Sequence, residues 1–156
     1  MPAVRIGVLS DTHLYSASEL PADIVRAFSS VDLIIHAGDF VSLPVLEGLK
    51  KMKDVKAVHG NMDSSEIRSL LPEKVVLEIN GKRIGIIHGS GGPWGIENKL
   101  REQFSDVDAI VYGHTHQARN EIIENVLYFN PGKASNSYGI LTVEEDIKGQ
   151  IETVVF

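Results

Sequence analysis

The chain of 156 residues contains no cysteine, which removes disulfide frameworks, thiolate zinc sites, iron–sulfur ligation and cysteine nucleophiles together. No apolar run is long enough to span a bilayer. The first ten residues carry one positive charge and one short apolar stretch, so they read as neither a signal peptide nor a membrane anchor. Basic clusters are missing too: 15 Lys and Arg lie scattered against 21 Asp and Glu, a formal net charge of −6. That balance argues against nucleic acid as a partner. Solenoid repeats, low-complexity tracts and linkers are also absent, which leaves residues 1–156 as one globular domain, expected in the cytoplasm.

A chain of this length, 43% hydrophobic, can bury about two-thirds of the surface its unfolded form exposes. It needs no structural metal, so any metal it binds is expected to serve chemistry. The ligands available are His, Asp, Glu, Asn and hydroxyl groups.

Residues 4–9 are apolar and rich in β-branched side chains, the pattern of a strand buried on both faces. A helix is expected over 21–28 with Pro21 as its first residue, then a strand over 31–36, a helix over 43–51 capped by Ser42, and a strand over 55–59. This alternation implies parallel strands with right-handed crossovers. From residue 74 the rhythm changes to a hairpin over 74–88 about Asn80-Gly81, a helix over 94–104, a strand over 109–112, and hairpins over 121–129 and 140–156. Two packed sheets with helices outside are expected.

The polar residues fall at strand ends. Asp11 and His13, Asp39, Asn61, His88, and His114 with His116 each follow an apolar strand-like run. In open α/β sheets such ends line one edge, where ligands bind. Two carboxylates, one amide and four imidazoles suit Mn²⁺, Fe, Zn²⁺, Co²⁺ or Ni²⁺ better than Ca²⁺. Seven groups are too many for one tetrahedral ion but fill two larger shells if a carboxylate bridges. Two such ions about 3.5–4 Å apart can share a hydroxide and clamp a phosphoryl oxygen, so hydrolysis at phosphorus is the expected reaction.

Asp11-Thr12-His13, Gly38-Asp39, Gly60-Asn61, His88-Gly89 and Gly113-His114-Thr115-His116, in this order over nearly the whole chain, resemble the calcineurin-like metallophosphoesterase superfamily. The small size and the trailing Asn130-Pro131-Gly132 are similar to its YfcE-type phosphodiesterase branch. That resemblance implies an α/β fold, a four-layer αββα sandwich of two mixed β-sheets flanked by helices. It implies that Asp11, His13, Asp39 and His116 hold one metal, and Asp39, Asn61, His88 and His114 the other, with Asp39 as the bridge. His114 and Asn61 would act in catalysis. Two divalent transition-metal ions are implied, Mn²⁺ first, with a metal-bound hydroxide attacking a small phosphodiester; a homo-oligomer is left open. The resemblance also carries alternatives: a phosphomonoesterase or nucleotide pyrophosphatase, or a non-catalytic scaffold like the retromer subunit that shares the fold. None of the seven ligands is replaced here, which favours the enzyme. Met62 stands where the wider superfamily commonly has His after Gly-Asn, and methionine cannot donate a proton, which favours diesters over poorly activated monoesters.

The remaining polar features read more plainly. His36 and His59 are expected as hydrogen-bonded histidines of the strands, Asp63 as a turn or cap residue, and Lys133 as a solvated lysine. Trp94, in the glycine-rich stretch 89–95 that also contains Pro93, is expected to pack at a helix start.

Overall fold

The short apolar runs become strands because both of their faces are covered. In β1 (Val4–Leu9) the last four residues are all buried, and β1 pairs in parallel with β2 (Leu33–His36), which pairs in parallel with β3 (Val55–Ala57). The computed structural model describes residues 2–92 and 94–155. Met1, Pro93 and Phe156 lie outside the described residues, and with them the last residue of the hairpin expected over 140–156.

Helices α1 (Ala22–Phe28), α2 (Leu43–Met52) and α3 (Ser65–Leu70) follow the first three strands. The hairpin of β4 (Lys74–Ile79) and β5 (Lys82–Ile87) turns at Asn80 and Gly81, whose φ values of 51° and 78° are those of a primed two-residue turn. Next come α4 (Ile96–Glu102), β6 (Ala109–Val111), the hairpin of β7 (Arg119–Ile123) and β8 (Val126–Asn130), and that of β9 (Ser137–Val143) and β10 (Ile147–Thr153). Each of the two sheets has five strands and mixed pairing: β10-β9-β1-β2-β3 and β4-β5-β6-β8-β7.

Three apolar clusters define four layers. Ile6, Val8, Ile35, Ile84, Val111, Phe129 and Leu141 fill the space between the sheets. Phe28, Ile34, Leu46, Leu49 and Ile67 join α1 to α3 to the outer face of the first sheet. Ile96, Leu100, Phe104, Ile110 and Tyr128 join α4 to the outer face of the second. This is the expected αββα sandwich. Among the described residues no helix is long and apolar enough to cross a membrane.

Several local expectations are corrected. Pro21 is the cap residue of α1, one position before the helix. Ser42 makes no side-chain cap bond; its hydroxyl donates instead to the carbonyls of Leu14 and Tyr15, tying two loops together. α3 was not expected: its six residues are too few for a periodic signal, and only the cap of Ser64 on the Ile67 amide marks it locally. α4 begins at Ile96, with Trp94 outside it and 93% exposed rather than packed. β3 stops at Ala57, so His59 lies in the following loop.

Candidate active site

β1, β2, β3, β5 and β6 all run towards one edge of the sandwich, and the loops leaving them interlock. The Asp11 amide donates to the Gly38 carbonyl at 3.0 Å, the His13 amide to the Asp39 carbonyl at 3.3 Å, and the Gly113 amide to the His88 carbonyl at 3.0 Å. Bonds between the sheets close this edge: the His114 amide donates to Asp11 Oδ2 at 3.2 Å, and His88 Nδ1 donates to the Ala37 carbonyl at 2.8 Å. Five of the seven candidate residues hold left-handed backbone: Asp11 (φ 54°), His13 (49°), Asp39 (62°), His114 (70°) and His116 (62°). For residues with a Cβ each such conformation costs on the order of 1–3 kcal/mol, and its concentration here sets these strand-end loops against local preference.

The inward atoms meet. Asp11 Oδ1 lies 3.4 Å from His116 Nε2, 3.8 Å from His88 Nε2 and 3.9 Å from His13 Nε2. Asp39 Oδ2 lies 3.1 Å from His88 Nε2 and 3.9 Å from His13 Nε2. Two groups with metal-ligand geometry result, Asp11 with His13 and His116, and Asp11 with Asp39 and His88. Asp11 is the carboxylate common to both, while Asp39, expected as the bridge, also faces a histidine of each. The other two candidates stand at the rim. His114 donates from Nε2 to the Gly91 carbonyl at 3.0 Å, its ring centroid 5.3 Å from that of His88. Asn61 is exposed and lines the cavity beside His88.

These residues fit a cation. Asp11 Oδ1, His13 Nε2 and His88 Nε2 are buried and have no hydrogen-bond partner, an arrangement that costs about 1–3 kcal/mol per atom unless something positive satisfies it. Their other atoms are already committed: Asp11 Oδ2 accepts from the Ser10 hydroxyl at 2.6 Å, and Asp39 Oδ1 from the Met62 amide at 2.8 Å. His88 Nδ1 carries the proton it gives Ala37, so in the neutral ring Nε2 is the free lone pair. Burial pushes the Asp39 carboxyl up, but His88 beside it, the Met62 amide and His13 outweigh that and hold it below the ordinary carboxylate range. Burial pushes His88 down, and the carboxylates of Asp39 and Asp11 more than restore it, so it stays above the usual histidine value.

Two supporting residues carry more than the sequence suggested. Asp63, expected as a turn residue, is buried and its carboxylate accepts three amides: Gly60 at 2.8 Å, Val41 at 2.8 Å and Asp39 at 3.0 Å. It fixes the backbone that carries Asp39. His36 is fully buried and stacked on Phe40 at 3.5 Å; its Nδ1 accepts from the Gly38 amide and its Nε2 donates to Thr12 Oγ1. Burial, with the nearby charge of His88, pushes it down to about 3, so it is neutral. The only sequence signals were the Gly60-Asn61-x-Asp63 spacing and a histidine closing an apolar strand.

A model of the calcineurin-like phosphoesterase superfamily domain matches residues 4–146. A probable metallophosphoesterase of Methanocaldococcus jannaschii is 41% identical over 156 residues, covering 94% of this chain and 79% of that protein. A phosphodiesterase of the same organism is 28% identical over 160 residues, covering 91% and 95%. The solved structure of vacuolar protein sorting 29 from Cryptosporidium parvum is similar in fold, with a TM-score of 0.77 at 22% identity and 97% coverage of both chains. Orphaned carboxylate and imidazole atoms at the converging strand ends of an αββα sandwich, together with these likenesses, make the chain a member of the calcineurin-like phosphoesterase superfamily, a metal-dependent hydrolase of phosphoric esters.

Proposed function

We propose that residues 1–156 act as one metallophosphoesterase domain, in the cytoplasm, that hydrolyses small phosphodiesters with two divalent transition-metal ions, Mn²⁺ first among them. The observation that carries this reading is the set of three buried, unpartnered ligand atoms on Asp11, His13 and His88. Asp11, His13, Asp39 and His116 would hold one ion, and Asp39, Asn61, His88 and His114 the other. When bound, such ions lower the pKa of a water and neutralise charge on the phosphoryl oxygens.

The chain's own residues supply alignment. Ser10 and the His114 amide hold one oxygen of Asp11, so the other is turned to the centre. Asp63 locks the Asp39 loop. His114 donates from Nε2 to the Gly91 carbonyl, so Nδ1 is the ring atom it would offer an ion. Met62 is 58% exposed and offers no proton at the place where a histidine would, which supports diesters over monoesters and nucleotide pyrophosphates. A scaffold would not need all seven ligands, and all seven are present.

Elemental analysis of protein reconstituted with Mn²⁺, coupled to a screen of phosphodiesters, phosphomonoesters and nucleotides, tests this. About two metal ions per chain and turnover of activated diesters are expected, with Asp39→Ala reducing that turnover by roughly 10³-fold or more. Near-normal turnover by a folded Asp39→Ala variant rejects the proposal.

A further inference from the structure

A cavity of about 240 Å³ opens beside Asn61 and His88 and runs between α3 and α4. Its floor is apolar, made by Ile87 and Leu100. Its walls carry Arg68 from α3, Lys99 from α4, His59 and one carboxylate, Glu73. On a chain of net charge −6 this is a locally positive recess, and neither Arg68 nor Lys99 is in an ion pair among the described residues.

Both cations are held next to the candidate metal centre. Arg68 donates to the Gly60 carbonyl at 3.4 Å, one residue before Asn61. The Lys99 ammonium lies 2.9 Å from where a Cβ on Gly91 would stand, and the Gly91 carbonyl is the group that accepts from His114. His59 lines the same cavity. Two cations outside any ion pair and the apolar side chains of Ile87 and Leu100 suit a short carbon chain ending in an anion. Glu73 suits a hydroxyl on that chain and not a second anion beside it.

The geometry points to a subsite for one ester arm of the substrate: the cavity takes a small alcohol bearing a second phosphate, gripped by Arg68 and Lys99 while the diester phosphorus sits at the strand ends. This rests on the proposed phosphodiesterase reading and narrows it to diesters with a charged arm. At about 240 Å³ the cavity is smaller than the roughly 300–1,000 Å³ of drug-sized ligand sites, which suits a short arm.

Two measurements test it. With Mn²⁺ bound, KM is compared for the p-nitrophenyl phosphodiesters of ethanol and of 2-hydroxyethyl phosphate. The added phosphate is expected to lower KM by about tenfold, and Arg68→Gln with Lys99→Gln to bring the ratio back to about one. In EDTA, the protein is titrated with 2-hydroxyethyl phosphate and followed by amide NMR shifts. The metal-free centre, with Asp11 and Asp39, repels that anion, so shifts are expected at residues 59–61, 68 and 96–103 and are lost in the double variant. Equal KM values in the wild type, a ratio that survives the double substitution, or an absence of shifts at those residues overturns the subsite. Shifts as expected with neither ester hydrolysed would uphold the subsite and count against the phosphodiesterase reading.

Discussion

Asp63 reaches no ligand position, yet the position of Asp39 depends on it. Its two oxygens accept amides from three residues of two loops, and the Val41 among them holds a φ of 78°, costly for a β-branched residue. Asp63→Asn replaces one acceptor oxygen by a donor facing an amide. A 10- to 100-fold loss of metal affinity is expected, about the size seen when a group supporting a ligand is removed. Titration with Mn²⁺ in a folded variant checks it; unchanged affinity would mean that the loops hold themselves. His36 answers to pH. Its folded value near 3 lies below the ordinary 6.5, so the unfolded chain takes up a proton that the folded chain does not. Its contribution is complete above about pH 6.5 and is lost as the pH falls from there towards 3, amounting to about 3 kcal/mol by about pH 4.5. Urea unfolding at pH 7 and about pH 4.5 is expected to show that loss in the wild type and a smaller one in His36→Asn; equal losses would contradict it. The role of Asp63 was not legible beforehand, because a hydrogen-bond acceptor is recognised by its donors, and two of its three lie 22 and 24 residues away; His36 is hydrogen-bonded as expected, but its partner Thr12, 24 residues away, could not be named from the sequence.

At the scale of elements, the loops after strands carry the site because they approach one another without side chains between them. A Cβ on Gly113 would overlap Ser10 Oγ and stand 2.8 Å from Asp11 Oδ2, and one on Gly60 would overlap Asp39 Oδ1. The glycine before each candidate ligand in Gly60-Asn61 and Gly113-His114 is thus a packing requirement set by a different loop. Gly113→Ala is expected to weaken Mn²⁺ binding at least tenfold and to cost about 1–3 kcal/mol of stability from overpacking. Calorimetry with and without metal checks this, and an alanine variant with wild-type affinity would refute the close approach. The hairpin at Asn80-Gly81 was readable because its turn is determined by the two residues within it. Helix α3 was not, since it is held mainly by burying Ile67 against the first sheet.

Across the whole molecule, the site joins two sheets that share no strand. Asp11, His13 and Asp39 come from the first sheet and His88, His114 and His116 from the second. A cation binding both halves binds the folded state alone, so it stabilises by mass action, about 2.7 kcal/mol at a hundred times Kd. Mn²⁺ is expected to raise Tm by several degrees, EDTA to reverse it, and Asp39→Ala to abolish it. A Tm indifferent to Mn²⁺ would show that no cation bridges the sheets.

By itself the sequence determined the residue types at the strand ends, the parallel rhythm of the first half and the absence of thiol chemistry, because these depend on local pattern and composition. The tertiary structure decided the rest. The last hairpin, β9 and β10, returns to pair with β1, left-handed backbone holds five of the candidate ligands at the strand ends, and Asp63 holds the loop opposite. Each of these depends on contacts between residues distant in the chain, whose energies no local stretch contains.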